Sequence, residues 1–295
     1  MMRDSKKISP FFRSSGVIAL VALFCFLIQG TREMVQAQGG GVSISPKRII
    51  FKGRTRNAEV SLINSSDKPA TYRIFFKNMA MTPEGTFEVL EDPEAEGPFA
   101  DRMIRYSPRE ITVPANRTQS VRLAVRKPRD LPDGEYRSHL VFQTVPAPDA
   151  GTDLETLDLN QGELQVKFIP ILSISIPIFV LHGDLEAEVK LSDLSLKNPG
   201  SEDNLRHLTM KLNRTGNRSV YGDFEVTYHP DQGEPLNIGI ARGVAVYTPL
   251  DYRKVDIPLQ LPDGVELNGG RLHVTYLERP EAGGEVLAEA DLNLP

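Results

Sequence analysis

The side chains able to do chemistry are scattered through this sequence. The histidines His139, His182, His207, His229 and His273 stand far apart. None of them forms a metal-ligand pair at helical or ribbon spacing, so no metal is expected. The single cysteine, Cys25, lies in an N-terminal apolar run. Its removal with that run leaves no thiol nucleophile. Arg214-Thr215-Gly216-Asn217-Arg218 has the outline of a phosphate loop but lacks the Gly-Lys-Ser/Thr ending, and reads as a turn between strands. Asp and Glu are numerous, so a carboxylate pair assembled by folding stays open at this level. With no cofactor signature either, the chain reads as non-enzymatic. The spacing that carries information belongs instead to apolar residues in one stretch, Leu164 to Val180.

In that stretch every even position is apolar: Leu164, Val166, Phe168, Pro170, Leu172, Ile174, Ile176, Ile178 and Val180. Strict alternation marks a β-strand with one apolar face. At about 3.3 Å per residue the run would span roughly 50 Å, far beyond an ordinary strand. Pro170 and Pro177 have opposite parity. One of them would point into the protein's own ladder unless a bulge or break lies between them. The expectation is a long edge strand, interrupted once, whose apolar face the protein itself does not fully cover. Such an edge is a template for the strand of another chain.

The elements that must position this strand are strands too. Arg3, Lys6, Lys7 and Arg13 precede an apolar segment from Gly16 to Ile28, and Val35-Gln36-Ala37 has the small residues of a cleavage site. Residues 1–37 therefore read as a signal peptide cleaved near Ala37. The remainder keeps 29 basic and 37 acidic residues, a net charge of −8. That balance does not fit a nucleic-acid footprint. Without a cysteine, the exported chain has no disulfide framework and depends on its core.

From Val42 to Phe51, Ala58 to Ile63, Ala70 to Met79, Phe87 to Leu90, Met103 to Tyr106, Glu110 to Val113, Ser120 to Arg126 and Glu135 to Val145, short alternating runs are separated by turn residues. Pro46 marks a kink in the first run. Glu91 to Gly97 reads as a solvated acidic loop, and Pro146 to Gly162 as a long mobile one. After His182-Gly183 about seven more strands follow, up to Leu294. The chain is thus expected to be all-β, with two sandwich domains over 38–181 and 182–295.

The order of these features resembles the periplasmic pilus-assembly chaperones, the PapD-like family. Arg48-Ile49-Ile50-Phe51-Lys52-Gly53 is similar to the family's first-strand R-x-x-F-x-G. Ala58 to Asn64 is similar to its second strand with an asparagine-led turn. Tyr106-Ser107-Pro108 through Pro114-Ala115-Asn116 to Val121-Arg122-Leu123, and Leu131-Pro132 to Val145-Pro146, are similar to two later sections. The likeness covers residues 42–181, and 183–295 carry no diagnostic motif.

The resemblance implies two immunoglobulin-like β-sandwich domains and a periplasmic chaperone. Such a chaperone stabilises pilus or fimbrial subunits by lending them its 164–180 strand, and it hands them to an outer-membrane usher. No nucleic acid and no small-molecule substrate is implied. Phe168, Pro170, Leu172, Ile174 and Ile176 become the donor side chains, with burial for 178–180. Basic residues that bind the client's terminal carboxylate would include Arg48, whose fork suits a carboxylate. The family's second anchor, a lysine near the strand end, falls at Pro177 here. Lys167, the only basic residue in the strand, is the remaining candidate. The competing readings are an ordinary core strand, an ion pair at Arg48, a solvated strand face at Lys167, and a passive cell-surface or periplasmic protein of two sandwiches.

Overall fold

The computed structural model describes residues 41–92, 96–146, 170–199, 204–279 and 283–295. The expected signal peptide, most of the 146–162 loop, Lys167 and Phe168 lie outside these residues. The described chain is almost entirely β, with one short 3-10 turn at Asp101–Met103. No described helix is long and apolar enough to cross a membrane.

The first sandwich has two sheets. One holds β1 (Val42–Ser45), β3 (Asn57–Asn64), β9 (Thr118–Val125) and β7 (Ile104–Ser107), in that order. The other holds β2 (Ile49–Phe51), β11 (Ser173–His182), β10 (Gly134–Val145), β4 (Ala70–Lys77) and β8 (Glu110–Val113). Val42 to Phe51, read from sequence as one kinked strand, is two strands in two sheets. The chain crosses from one sheet to the other at Pro46, which has no N–H to continue a ladder. Alternation does the rest: Val60 and Leu62, Val121 and Leu123, Leu140 and Phe142, and Ile178 and Val180 point into one shared core.

Asn64 ends β3 and ties down the asparagine-led turn. It is 1% exposed. Its amide nitrogen donates to the carbonyls of Lys68, Val113 and Pro114 at 2.8, 3.1 and 3.2 Å. Its Oδ1 accepts from the backbone N–H and the hydroxyl of Ser66.

A small ribbon, β5 (Met79–Met81) with β6 (Phe87–Val89), leaves the first sandwich after β4. The second sandwich packs the sheet β12 (Ala187–Lys197), β13 (Arg206–Gly216), β16 (Tyr252–Leu259) on the sheet β15 (Leu236–Val246), β14 (Val220–His229), β17 (Arg271–Glu278), β18 (Val286–Asn293). Leu208, Leu212, Phe224, Val226, Ile257 and Tyr276 fill its core.

The two sandwiches meet at an elbow built on Asn217, in the turn that outlines a phosphate loop in the sequence. Its Nδ2 donates to the carbonyls of Asp133 and Asp184, and its Oδ1 accepts from the Glu186 N–H at 2.9 Å. The buried Glu135 accepts from the hydroxyl and the N–H of Ser219. Gly216 is required in this turn. Its φ is +93°, and a Cβ there would stand 2.4 Å from the Glu186 carbonyl.

Candidate functional site

The β11 strand pairs antiparallel with β10 over its full length, from Gly134 opposite His182 to Gln143 opposite Ser173, without a register shift. The expected interruption is absent from this stretch, and hydrogen-bond parity accounts for that. Just beyond the strand the Thr144 N–H donates to the Leu172 carbonyl at 2.8 Å, and the Leu172 N–H donates to the Thr144 hydroxyl. Even positions therefore bond to β10, and odd positions point their backbone groups the other way. Pro177, opposite His139, is odd, so the N–H it lacks is not missed by β10. Pro170 precedes the strand.

On its other side β11 pairs only with β2, in parallel, from Ile178 to Val180. The backbone groups of Ser173 and Ser175 on that side face an open edge among the described residues.

Side chains on the even face change character along the strand. Val180, Ile178 and Ile176 are core, the last only 3% exposed. Ile174 is 37% and Leu172 43% exposed, and Pro170 is exposed as well. The passage from core to open surface thus falls between Ile176 and Ile174, one step before the expected place. Ile176 is corrected from a donor side chain to a core residue. Alternation fixes which face is apolar but not how far the opposite sheet reaches over it. On the odd face, Ile171 is 59% exposed and Phe179 is buried.

Arg48 lies in the connection between β1 and β2, and it is exposed. Its guanidinium stands 6.0 Å from the ring centre of Phe179 and 5.8 Å from that of Tyr221 on β14, one ring from each sandwich. Among the described residues no carboxylate is in ion-pair contact with it, so the structural ion pair allowed by the sequence is not formed there.

Next to it stands a residue that sequence reasoning missed. Arg137 on β10 is the register partner of Phe179 and is 4% exposed. Its guanidinium lies 4.2 Å from the Tyr247 ring centre and 5.2 Å from that of Phe87 on β6. One nitrogen, Nη2, donates to the Met79 carbonyl at 3.3 Å. Burial pulls this guanidinium below its ordinary pKa, opposed by Tyr247 and Glu135. Burial raises the Tyr247 phenol, while Arg137 and Arg48 both pull it down, so the two cations act on one hydroxyl. His139, two residues along β10, is pushed down to about 4 by burial and by Arg137. The signal was present in Glu135-Tyr136-Arg137-Ser138-His139, where ionisable groups alternate along a strand otherwise rich in core residues.

The chain is similar to solved fimbrial chaperones. The class 5 fimbriae chaperone CfaA matches with a TM-score of 0.48 at 15% identity, over 86% of this chain and 99% of that one. A chaperone–tip adhesin complex of CFA/I fimbriae matches with 0.47 at 14%, over 86% and 98%. A chaperone–tip subunit pre-assembly complex from Csu pili of Acinetobacter baumannii matches with 0.43 at 13%, over 86% and 97%. No family model and no curated protein sequence matches the chain.

Elsewhere, a surface depression of about 510 Å³ lies between β3, β7 and β9, lined by Glu59, Arg105 and Arg122 among others, and includes none of these site residues. The His229 and His273 rings meet edge-on at 6.1 Å, with His273 Nδ1 2.9 Å from Asp291.

Proposed function

We propose that this chain is a non-enzymatic periplasmic chaperone that binds pilus or fimbrial subunits by lending them the strand ahead of and including the start of β11. The observation that carries the reading is a single strand whose apolar face passes from core to solvent while its outer backbone edge stays open. A strand buried throughout would not expose Leu172 and Ile174. A passive two-sandwich protein has no need of an open, apolar edge. Pro170, Leu172 and Ile174 are the described donor side chains, and Phe168, outside the described residues, has the same even position in the sequence. Backbone groups at Ser173 and Ser175 supply ladder bonds to an added strand.

Arg48 takes the terminal carboxylate of the client. It is exposed, lies beside the strand through Phe179, and makes no ion pair among the described residues. Lys167, ten positions before Pro177, belongs to the far end of the donor stretch and stays a secondary candidate. The domain organisation that serves this function is a signal peptide over 1–37, a strand-lending sandwich over 38–181 and a second sandwich over 182–295. Transfer of the client to an outer-membrane usher completes the proposal.

The test is periplasmic co-expression with the exported proteins encoded beside this chain, followed by purification of what it holds. A subunit should co-purify with the wild type and be lost from Leu172→Asp and Ile174→Asp variants that melt normally. Undiminished recovery from both variants would refute strand lending.

A further inference from the structure

The sheet β1–β3–β9–β7 is the layer of the first sandwich that does not hold β11. Arg122 and Ala124 on β9 point onto its outer face, and Arg105 on β7 stands directly across the ladder from Ala124. The Arg126 N–H donates to the Met103 carbonyl at 2.8 Å, so the same pairing runs one residue past β9 and adds a third exposed guanidinium. Ala124 thus lies between arginines two positions away on either side and another on the next strand. Its neighbour on β3 is Asn57. Over this small side chain opens the depression of about 510 Å³, lined by Arg105, Arg122, Asn57 and Ser107 among others.

Among the described residues none of these three guanidiniums makes an ion pair. Glu59, opposite Arg122, is the one carboxylate that lines the depression. More cations crowd the same end of the sheet. Lys52, Arg54 and Arg56 stand in the connection that leads into Asn57, and all three are exposed. The Arg56 carbonyl accepts from the Val125 N–H at 2.8 Å, which sets that connection beside Arg126. Burial, and after it the Arg56 charge, pull the nearby Lys127 ammonium below its ordinary pKa. The excess is local: residues 41–146 hold 17 basic and 13 acidic residues, whereas 182–295 hold 11 and 19. Like charges gathered without counter-charges repel one another, and a bound anion relieves that repulsion.

We propose that this face is a phosphate-binding surface and that its ligand is the anionic face of a phospholipid bilayer. Guanidiniums on three sides of a shallow opening suit a tetrahedral anion whose oxygens point several ways, whereas one carboxylate answers a single fork. The cations extend past the depression to Arg54 and Arg56, so the matching ligand carries many phosphates rather than one. The lining exposes no large apolar side chain, and so offers a protein partner no dry centre. Glu59 offsets one cation and leaves the set positive. Docking by this layer leaves β11, in the other layer, unobstructed, and the inference does not depend on strand lending.

The probe is vesicles of phosphatidylcholine with phosphatidylglycerol, set against phosphatidylcholine alone, with co-sedimentation of the exported protein as the readout. The wild type should bind the anionic vesicles at low salt and leave the neutral ones. Binding should fall steeply between about 0.1 and 1 M salt, as the screening length shrinks from about 10 to 3 Å. At about 1 kcal/mol per cation near the surface, Arg105→Gln and Arg122→Gln should each weaken partitioning roughly fivefold, and the double variant about thirtyfold. Replacing both by lysine keeps the charges and should keep most of the binding. Arg73→Gln removes an exposed charge from the other sheet and should change binding by less than about twofold. Urea midpoints should match the wild type, since all three side chains are exposed.

A wild type that ignores anionic vesicles at low salt would overturn the inference. So would equal losses from Arg73→Gln and Arg105→Gln, which would trace the attraction to overall charge and not to this face. Displacement by millimolar inorganic phosphate at constant ionic strength would mean a site for the free ion. Tighter binding to polyglutamate than to the vesicles would mean an acidic protein partner. Either result contradicts a membrane ligand. None of them touches the donor strand, which client recovery tests separately.

Discussion

Two leucine-sized residues four positions apart on one face of one strand should answer the same substitution differently. Ile176 is 3% exposed and Leu172 is 43% exposed. Ile176→Ala empties part of the first core and should destabilise that sandwich by about 2–5 kcal/mol. Full burial of a leucine side chain is worth roughly 1.5–3 kcal/mol. Leu172 keeps nearly half its surface in water, so Leu172→Ala should cost about 1 kcal/mol at most. Urea unfolding separates the two. With a slope of about 1–3 kcal/mol/M, the Ile176→Ala midpoint should fall by roughly 1–2 M and the Leu172→Ala midpoint by well under 1 M, at unchanged slope. Client recovery should show the reverse order per unit of lost stability. Leu172→Ala should impair it in a protein that is otherwise sound, because a pocket in the client goes unfilled. Equal midpoint shifts for the two variants would mean that the core extends along the whole strand, and the strand-lending argument would fail at its first step.

Burial and the Arg137 charge push the His139 pKa down to about 4 in the folded protein, against about 6.5 in an unfolded chain. Its contribution is present above pH 6.5 and is lost as pH falls towards 4, because the unfolded chain takes up the proton first. Stability should drop by roughly 1.5 kcal/mol between pH 6.5 and 5, and His139→Gln should flatten that slope in urea melts taken at each pH. Asn64→Ala should destabilise by about 2–4 kcal/mol, since it strands the buried Val113 carbonyl and two part-buried ones, while Ser66→Ala removes the hydroxyl contacts to Asn64 and the Lys68 carbonyl, keeps the backbone turn bond, and should cost about 1 kcal/mol. Arg48→Ala should sharply reduce client recovery without a change in melting, and Arg48→Lys should restore part of it by charge without the fork. A wild-type yield from Arg48→Ala would leave that residue with no part in binding.

Most strands of both sandwiches were legible because they have one wet and one dry face, which writes alternation into the sequence, whereas β10 is buried on both faces over most of its length and was bounded by its turn residues. Sheet membership was not. Val42 to Phe51 alternates as one run, and only the partner strands show that Ser45 belongs to one sheet and Ile49 to the other. Parity showed that Pro170 and Pro177 face opposite ways, but the side that Pro177 takes depended on the register with β10, and the limit of the core along β11 on a sheet far away in sequence. The cluster at the cleft was illegible for the same reason. Phe87, Arg137, Phe179, Tyr221 and Tyr247 come from the β5–β6 ribbon, three strands of the two sandwiches and the turn after β15, and no local pattern links them.

Pro177 has a consequence for length. On the outer side of β11 it stands where the next ladder donor should be, and immediately beyond it β2 already occupies the same lane. Any strand laid along Ser173 and Ser175 must therefore stop there, end to end with β2. The lane has a dead end. If the proposed function holds and the guest runs parallel to β11, its register would be measured from that stop, so its last residue, and not the best fit of its side chains, would decide which of its positions meets Ile174 and which meets Leu172.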